Sequence, residues 1–313
     1  MRPRGLVEEA DKMLRAHGFR SVVNDASPDS CFDIVAKSGD TSIIIKVVDE
    51  LSEVPRNHIS ELHAISSWIA ATPLILAEKV EGQELDDDAV YYKNGIYAVS
   101  LGALERTLEG DPPLVEVFPA GCFVYIDGEL VRKRREELGL SVGELARLVG
   151  VSRMTIYSYE KGKKRTTPGI AYRLAYVLGA PIVIPMNPLA PREEGQYPAQ
   201  EPVSLIRDLP RKGLLRLVAR VLRKLKLMIM AFFNAPFEMM ARHEDLKLVM
   251  NVVCNCDYDG AKIKTTKAFT EVMELNHLVV RPEGYECPED VPSIGVEELK
   301  NMRKPEELAK LFT

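Results

Sequence analysis

The sequence feature that most constrains the fold is a run of short helices, with clear start and stop signals, between residues 128 and 179. Ser141 and Glu144 fit an S-x-x-E capping box, in which each side chain binds the backbone N–H of the other residue, so a helix begins directly after the serine. Gly150 ends that helix because glycine readily adopts the left-handed conformation. Ser152 then caps the next helix. Two short helices joined by a tight turn predict a helix-turn-helix.

The second helix of the pair lies near residues 152–161. Ile156 and Tyr159 fall on its inward face at i, i+3 spacing. Its opposite face carries four side chains that we expect to point outward: Arg153, Met154, Tyr157 and Ser158. A further helix with an apolar stripe follows near Gly169, so the segment predicts a small all-α domain.

This segment resembles the DNA-binding domain of Cro/repressor (Xre-type) proteins, whose pattern GLS…ELA…GVSR.TI..YE.G it carries. The resemblance implies that the second helix lies in the major groove of double-stranded DNA with its first residues on base edges. Arg153, Met154 and Ser158 are then the predicted base readers, and Tyr157 contacts a base or a phosphate. Arg153 can pair with guanine, and Met154 can touch a thymine methyl.

The resemblance also implies contacts to the DNA backbone, which position a protein without specifying sequence. The predicted phosphate contacts are Ser141, Lys161, Lys163, Lys164 and Arg165. Arg135 and Glu160 stand where this family places an internal ion pair. Many relatives have a polar residue, often Gln, at the position of Val142, so one usual contact is missing here.

The charge of the chain is unevenly divided. Residues 125–190 hold eleven Lys/Arg and six Asp/Glu, a net +5, whereas residues 1–124 hold eleven and twenty-one, a net −10. Residues 191–313 are neutral, with nineteen of each. Positive charge is therefore concentrated in the helix-turn-helix segment, where phosphate binding needs it.

The five scattered cysteines favour a reducing cytoplasm over a disulfide framework. No apolar run approaches the roughly 18 residues of a membrane helix, and no signal-peptide pattern is present. We therefore expect a cytoplasmic protein without a membrane partner.

Composition and pattern predict four parts along the chain. Residues 1–122 form an α/β domain, residues 123–184 the helix-turn-helix domain, residues 185–204 a proline-rich linker, and residues 205–313 a second α/β region.

The second α/β region repeats the first. FDIVAKSGDTSIIIKVV (32–48) aligns without gaps to FEMMARHEDLKLVMNVV (237–253), with Phe, Ala, Asp and two Val identical. The predicted fold class is therefore α/β plus all-α, with a central Cro/repressor-type helix-turn-helix domain flanked by two related α/β domains.

The α/β domains resemble the restriction-endonuclease-like fold, which includes Holliday-junction resolvases. That family uses a helix acid, an Asp, and an acid-x-Lys on the next strand to bind a divalent metal and activate water. Glu8 or Glu9, Asp33 and Lys46 match this pattern, but Ile44 stands where the second strand acid belongs. In the repeat the corresponding residues depart further: Glu238, Val249 and Asn251.

Because hard metals need several oxygen ligands, we interpret these positions as vestigial, and we expect no catalytic residue, bound metal or cofactor. The chain is predicted to be a homodimeric, sequence-specific transcriptional regulator, and not an enzyme; any small-molecule or protein effector stays unknown. Two alternatives remain: a metal-dependent endonuclease or resolvase-like enzyme targeted by the helix-turn-helix, and a structural binder of chromatin type with little sequence preference.

Overall fold

The computed structural model describes residues 3–162, 164–190, 213–253, 260–282, 287 and 291–312. Residues 191–204 of the predicted linker lie outside the described residues. The contacts divide the chain into two compact units: unit 1 comprises residues 1–49, 53–73 and 191–313, and unit 2 comprises residues 50–52 and 74–190.

The described residues form eleven α-helices: α1 (Arg4–Ala16), α2 (Arg56–Ile69), α3 (Leu101–Glu109), α4 (Gly128–Glu137), α5 (Val142–Val149), α6 (Arg153–Glu160), α7 (Pro168–Leu178), α8 (Leu214–Lys224), α9 (Gly260–Met273), α10 (Val296–Asn301) and α11 (Pro305–Ala309). They also form sixteen strands: β1 (Arg20–Val23), β2 (Ile34–Ser38), β3 (Thr41–Glu50), β4 (Thr72–Val80), β5 (Gln83–Glu84), β6 (Ala89–Lys93), β7 (Ile96–Val99), β8 (Val115–Phe118), β9 (Gly121–Ile126), β10 (Lys164–Thr166), β11 (Val183–Ile184), β12 (Met228–Ala231), β13 (Met239–His243), β14 (Leu246–Val252), β15 (Asn276–Arg281) and β16 (Ser293–Gly295).

Unit 1 contains the same arrangement of elements twice. The N-terminal segment of unit 1 comprises residues 1–49 and 53–73, and the C-terminal segment comprises residues 191–313. In the N-terminal segment, β1, β2 and β3 follow α1 and pair antiparallel in chain order. In the C-terminal segment β12, β13 and β14 follow α8 and pair in the same way, and β14 then pairs in parallel with β15. The bounds of β13 and of the start of β14 correspond to those of β2 and β3 at the offset that the sequence alignment gives. The self-similar sequence therefore folds into self-similar strands.

Left-handed backbone positions also recur between the two segments. Gly39 in the β2–β3 turn has φ +53°, and Glu244 at the aligned position between β13 and β14 has φ +50°. Ala70 after α2 has φ +54°, and Glu274 after α9 has φ +56°. An L residue is strained in this conformation. Only the first pair falls within the aligned blocks, and there Glu244 adopts the left-handed conformation that Gly39 adopts in the N-terminal segment.

The two segments of unit 1 pack through aligned residues. The rings of Phe32 and Phe237, which occupy the same alignment position, lie 6.5 Å apart between centroids. Lys37 on β2 binds Glu274 at the end of α9 with 2.6 Å between Nζ and Oε2. Arg242, aligned with Lys37, lies 5.1 Å over the ring of Trp68 near the end of α2. In each segment, the cation at this strand position therefore contacts a residue at the end of the other segment's helix.

Unit 2 is built on a mixed sheet that joins the end of the N-terminal α/β segment to the helical segment. Its strands follow the order β4-β7-β6-β8-β9-β10, with β5 beside β4 and β11 also paired to β9. Helix α3 begins at Ser100, whose side chain accepts from the N–H of Ala103, and ends at Gly110.

The helices α4 to α7 share one apolar core with strand β9. Val124 and Ile126 of β9 are buried together with residues of all four helices: Val131, Leu145, Ala146, Val149, Ile156, Tyr159, Ala171, Leu174 and Leu178. Because β9 also pairs with β8, no linker separates the helical bundle from the sheet. The structure has the expected mixed α/β and helix-turn-helix content. It does not establish two separate flanking domains, and the boundaries at 122, 184 and 204 stay predictions.

Candidate nucleic-acid interface

Helices α5 and α6 form the predicted helix-turn-helix with the predicted caps. The Ser141 Oγ accepts from the N–H of Glu144 at 3.2 Å, and the Glu144 carboxylate accepts from the N–H of Ser141 at 2.8 Å. Gly150 ends α5 at φ +77°. Ser152 caps α6 by accepting from the N–H of Thr155 at 3.0 Å. The capping signals in the sequence therefore gave both helix starts correctly.

Two features fix α6 against its neighbours. Ile156 and Tyr159 are buried, and the Tyr159 hydroxyl lies 2.8 Å from the Thr166 hydroxyl on β10. The start of α4 approaches the end of α6 so closely that a Cβ on Gly128 would lie 2.0 Å from the carbonyl oxygen of Tyr159. A glycine is needed at this position, because a larger residue would push α4 away from α6.

A buried ion pair joins α4 to α6. The Arg135 guanidinium donates to both carboxylate oxygens of Glu160, at 2.6 Å from Nε and 3.1 Å from Nη2. A third N–H donates to the carbonyl oxygen of Leu140 at 2.9 Å. The carboxylate of Glu160 raises the pKa of Arg135 above its ordinary value, with burial acting in the opposite direction. The internal ion pair that the resemblance implied is present.

The outward face of α6 is open to solvent. Met154 is 71% exposed and Tyr157 is 48% exposed, although both are large side chains that water solvates poorly. Arg153 is exposed and Ser158 is half-buried. On one side this short helix presents a methionine, a tyrosine and an arginine that has no hydrogen-bond or ion-pair partner among the described residues, and such a face is suited to contacts with another molecule.

The predicted phosphate contacts occupy different environments. Lys161 is exposed, and its Nζ lies 5.0 Å from the ring centroid of Tyr157. The Ser141 backbone N–H is taken by Glu144, as described above. Lys163 and the side chain of Lys164 lie outside the described residues, although Lys164 begins β10.

Arg165 lies within the sheet of unit 2. Its guanidinium is 4.9 Å from the ring centroid of Phe118 and 5.9 Å from that of Tyr125. It also stands 3.5 Å from the carboxylate of Glu116, which accepts from the Tyr97 hydroxyl at 2.6 Å. Its side chain is 47% exposed, so it is both a packing residue and an accessible cation.

The nuclease-like positions of the N-terminal segment are buried. Asp33 is 0% exposed, and Lys46 is 5% exposed. The Lys46 Nζ lies 3.1 Å from Oδ2 of Asp33 and donates to the carbonyl oxygen of Ser30 at 2.7 Å. The same Asp33 oxygen accepts from the N–H of Val47 at 2.7 Å. These contacts hold β2 and β3 together, which is a structural role that needs no metal.

The other positions of the nuclease pattern do not join this pair. Glu8 and Glu9 are exposed on α1, whose opposite face is buried. Ile44 is fully buried at the place of the second acid. Among the residues that the structure describes, no group of three or more His, Cys, Asp or Glu side chains is arranged to hold a metal ion.

Glu61 on α2, a residue that the sequence analysis missed, binds the chain between β12 and β13 of the C-terminal segment. The Glu61 carboxylate on α2 accepts from the N–H groups of Phe233 and Asn234, at 3.1 and 2.9 Å. The Asn234 carbonyl in turn accepts from the N–H of Cys31 at 2.6 Å. A glutamate beside Ile59, Leu62 and Ile65 on the inward face of α2 was the available signal, since such a buried acid needs donors.

Two further titratable groups lie in the same cluster. Burial raises the pKa of the Cys31 thiol well above its ordinary value, and the Glu61 charge acts in the same direction. Burial lowers the pKa of His58, and the Lys46 charge lowers it further. The His58 Nε2 lies 3.5 Å from Asp29, and its Nδ1 has no hydrogen-bond partner within the described part of the chain. The cluster therefore favours an unreactive thiol and a neutral imidazole.

The C-terminal segment has a counterpart of the Asp33–Lys46 pair in which Asn251 takes the place of the lysine. Glu238 accepts from the N–H of Val252 at 2.9 Å, as Asp33 does from Val47. Asn251, at the position of Lys46, donates to Glu238 at 3.3 Å and to the carbonyl oxygen of Pro236 at 2.8 Å. His277 lies 2.8 Å from the Asn251 Oδ1. Burial raises the pKa of Glu238 and lowers that of His277 to about 4.

Two regions of the chain match known families. Residues 4–113 match the family described as a PD-(D/E)XK superfamily domain, whose name contains the Asp and acid-x-Lys pattern discussed above. Residues 131–184 match the family described as helix-turn-helix. The chain thus contains a helix-turn-helix of the Cro/C1 type and a PD-(D/E)XK-like domain, so the first predicted resemblance is confirmed, and the second is confirmed for residues 4–113.

The chain is similar along nearly its whole length to archaeal proteins that are provisionally named HTH-type transcriptional regulatory proteins. It is 27% identical to one from Methanocaldococcus jannaschii over 95% of this chain and 92% of the relative. It is 28% identical to one from Thermococcus gammatolerans over 98% and 95%. A relative from Methanococcus maripaludis is 35% identical over 50% of this chain and 48% of its own length.

Within the described residues, no helix has both the length and the apolar character that crossing a membrane requires.

Proposed function

We propose that this protein is a sequence-specific regulator of transcription that reads the major groove of double-stranded DNA with α6. The observation that carries the proposal is the exposed outward face of a helix that is capped, packed and ion-paired on its other side. The names of the archaeal relatives, which describe them as transcriptional regulators, support it. Exposed polar groups on a rigid helix suit base recognition, because a groove can admit the helix without its refolding.

Arg153, Met154, Tyr157 and Ser158 are the proposed base contacts, and Ser141 and Lys161 together with Lys163, Lys164 and Arg165 are the proposed phosphate contacts. One recognition helix reads only a few base pairs, so we propose a homodimer on two half-sites. The protein acts in the cytoplasm, with or without an effector.

We propose that the PD-(D/E)XK-like part of unit 1 is a non-catalytic scaffold. Its two related α/β segments flank the helix-turn-helix in sequence. The Asp33–Lys46 pair supports this, because its atoms already bind each other and the backbone. Ile44 supplies no oxygen ligand, and the C-terminal segment has lost the lysine as well. A hard divalent metal needs several oxygen ligands, and the chain offers few here.

The test is selection of bound sequences from random duplex DNA, with and without EDTA, for the protein and for Arg153→Ala. We expect one enriched, two-fold symmetric motif that is unchanged by EDTA. Arg153→Ala should lose preference at one base pair per half-site by about 1–3 kcal/mol. Tight binding without any enriched motif would contradict the proposal and favour a structural binder of chromatin type, whose affinity depends steeply on salt.

A nuclease is the second candidate, because the PD-(D/E)XK match and the close Asp33–Lys46 pair both favour it. It predicts cleavage of duplex, branched or single-stranded DNA that requires Mg²⁺ or Mn²⁺ and is lost in Asp33→Ala. Asp33 is buried, so Asp33→Ala could lose activity through unfolding alone. Lys46→Arg should therefore be assayed as well, because it changes the lysine of the pattern while keeping a cation beside Asp33. Absence of cleavage on all three substrates would exclude the nuclease and leave the regulator and the structural binder, which the selection experiment distinguishes.

A further inference from the structure

Gly143 occupies the second position of α5, directly beside the first residue of the proposed recognition helix. A Cβ placed on Gly143 would lie 2.7 Å from Nε of Arg153 and 3.0 Å from its Cζ and Nη2. Side-chain carbons essentially never approach other heavy atoms so closely. The Arg153 guanidinium therefore lies in space that only a glycine at position 143 leaves open.

No conformational need explains a glycine at this position. Gly143 lies within a helix and does not have the positive φ found at Gly139 and Gly150 on either side of α5. Within a helix, glycine costs up to about 1 kcal/mol relative to alanine. Since the backbone gains nothing from it, the remaining physical effect of Gly143 is the space it gives to Arg153.

The space beside Gly143 admits the guanidinium but does not bind it through charge. In the part of the chain that the structure describes, Arg153 makes no ion pair or hydrogen bond, and it is exposed. The first turn of α5 carries the positive end of the helix dipole, which does not attract a cation. The N–H donors of Arg153 thus remain available to a ligand, while the flat guanidinium rests against the α5 backbone.

We infer that Gly143 is a positioning residue for DNA recognition: it sets the direction in which Arg153 presents its donors and so determines base preference without touching the DNA. This inference rests on the proposed function. Bidentate pairing with a guanine requires the planar guanidinium to lie in the plane of the base, so its orientation governs the discrimination.

The test compares Gly143→Ala with a matched control in the same bundle. Gly169 is the second residue of α7, as Gly143 is of α5, and a Cβ on Gly169 would meet nothing within 4 Å. Both substitutions should keep or raise the melting temperature, since alanine favours helices and the displaced group at position 143 is the end of a flexible side chain. Both variants and Arg153→Ala then undergo selection on random duplex DNA.

We expect Gly143→Ala to lose about fivefold or more of the preference at a single base pair, the one whose preference Arg153→Ala also abolishes. Adding Gly143→Ala to Arg153→Ala should change nothing further. Gly169→Ala should keep the unaltered motif.

A Gly143→Ala motif identical to that of the unaltered protein would overturn the inference while leaving the regulator intact. So would a loss at a base pair that does not depend on Arg153. If the unaltered protein enriches no motif, the proposed function itself fails, and the two failures are thereby distinguished.

Discussion

The outward face of α6 and the nuclease-like positions of β2 and β3 carry similar polar chemistry in opposite surroundings. On α6, Arg153 and Tyr157 are in solvent, and Arg153 has no protein partner among the described residues. On β2 and β3, Asp33 and Lys46 are buried and bind each other. Both regions match family models, but only the α6 face presents its polar atoms to solvent.

The comparison teaches that a motif has to be judged by what its atoms already bind. The carboxylate of Asp33 accepts from Val47, and Glu238 accepts from Val252 in the same way, although Glu238 faces an asparagine. The shared contact is therefore the link from carboxylate to strand. Removing either acid would leave a buried backbone N–H without its acceptor, so the link contributes to the fold independently of any chemistry.

The largest expected effect tests whether the Asp33–Lys46 pair is structural. Lys46→Met should lower the free energy of unfolding by about 3–5 kcal/mol, because it leaves a buried carboxylate without its cation. Asn251→Leu, at the aligned position, should cost about 1–3 kcal/mol, because it removes hydrogen bonds of a neutral amide. Urea unfolding measures both. Equal losses would show that the charge on Lys46 is unimportant to the fold.

The helix-turn-helix bundle contains the buried Arg135–Glu160 pair, which should behave like the Asp33–Lys46 pair. Arg135→Met should lower the free energy of unfolding by about 3 kcal/mol, because Glu160 would stay buried without a partner. Arg132→Met, which removes an exposed pair with Glu136 one turn away on α4, should cost under about 0.5 kcal/mol. Thermal unfolding followed by circular dichroism distinguishes them. A similar small shift for both would mean that α4 and α6 are held by packing alone.

The third effect is a pH dependence that His277 gives to unit 1. Its pKa is lowered to about 4, chiefly by burial and secondly by Lys267, so protonation favours unfolding. Stability from this group is complete above its unfolded pKa near 6.5 and is lost as the pH falls towards 4, by on the order of 3 kcal/mol. The raised pKa of Glu238 opposes this trend. The difference between the pH profiles of the protein and of His277→Gln should isolate the histidine, and parallel profiles would contradict the assignment.

The smallest effect concerns the DNA backbone. Lys161→Ala should weaken binding to all sequences alike and reduce the slope of log affinity against log salt by about one unit. Lys12→Ala, an exposed lysine on α1, should change neither. Titrations of labelled duplex at several salt concentrations measure the slope. A change of base preference in Lys161→Ala would show that Lys161 is a base contact and not a phosphate contact.

The parts of the fold that sequence predicted are those set by local signals. Ser141, Glu144 and Ser152 fixed the helix starts, because capping acts over three residues. The gapless alignment of 32–48 with 237–253 predicted matching strands, because the same buried apolar runs mark the strands in both segments. The Arg135–Glu160 pair followed from resemblance.

The parts that sequence did not predict depend on contacts between distant residues. Glu61 binds Asn234 across more than 170 positions of the chain, and no local pattern marks that partnership. The continuity of the sheet through β8, β9 and β10 was missed because Gly121–Ile126 was divided between two predicted domains. The space that Gly143 leaves for Arg153 depends on how α5 and α6 cross, which spacing alone does not give.

The division of the chain into units has a consequence for synthesis on the ribosome. Unit 2 is complete once residue 190 has emerged, whereas unit 1 draws on residues 1–49 and 53–73 and then on the last third of the chain. At usual translation rates this interval lasts on the order of ten seconds. During it the helix-turn-helix bundle can fold, while Phe32 and Glu61 have no partners yet. The N-terminal segment of unit 1 therefore keeps its apolar surface exposed longest during synthesis, and it is the part of the chain that a chaperone would bind.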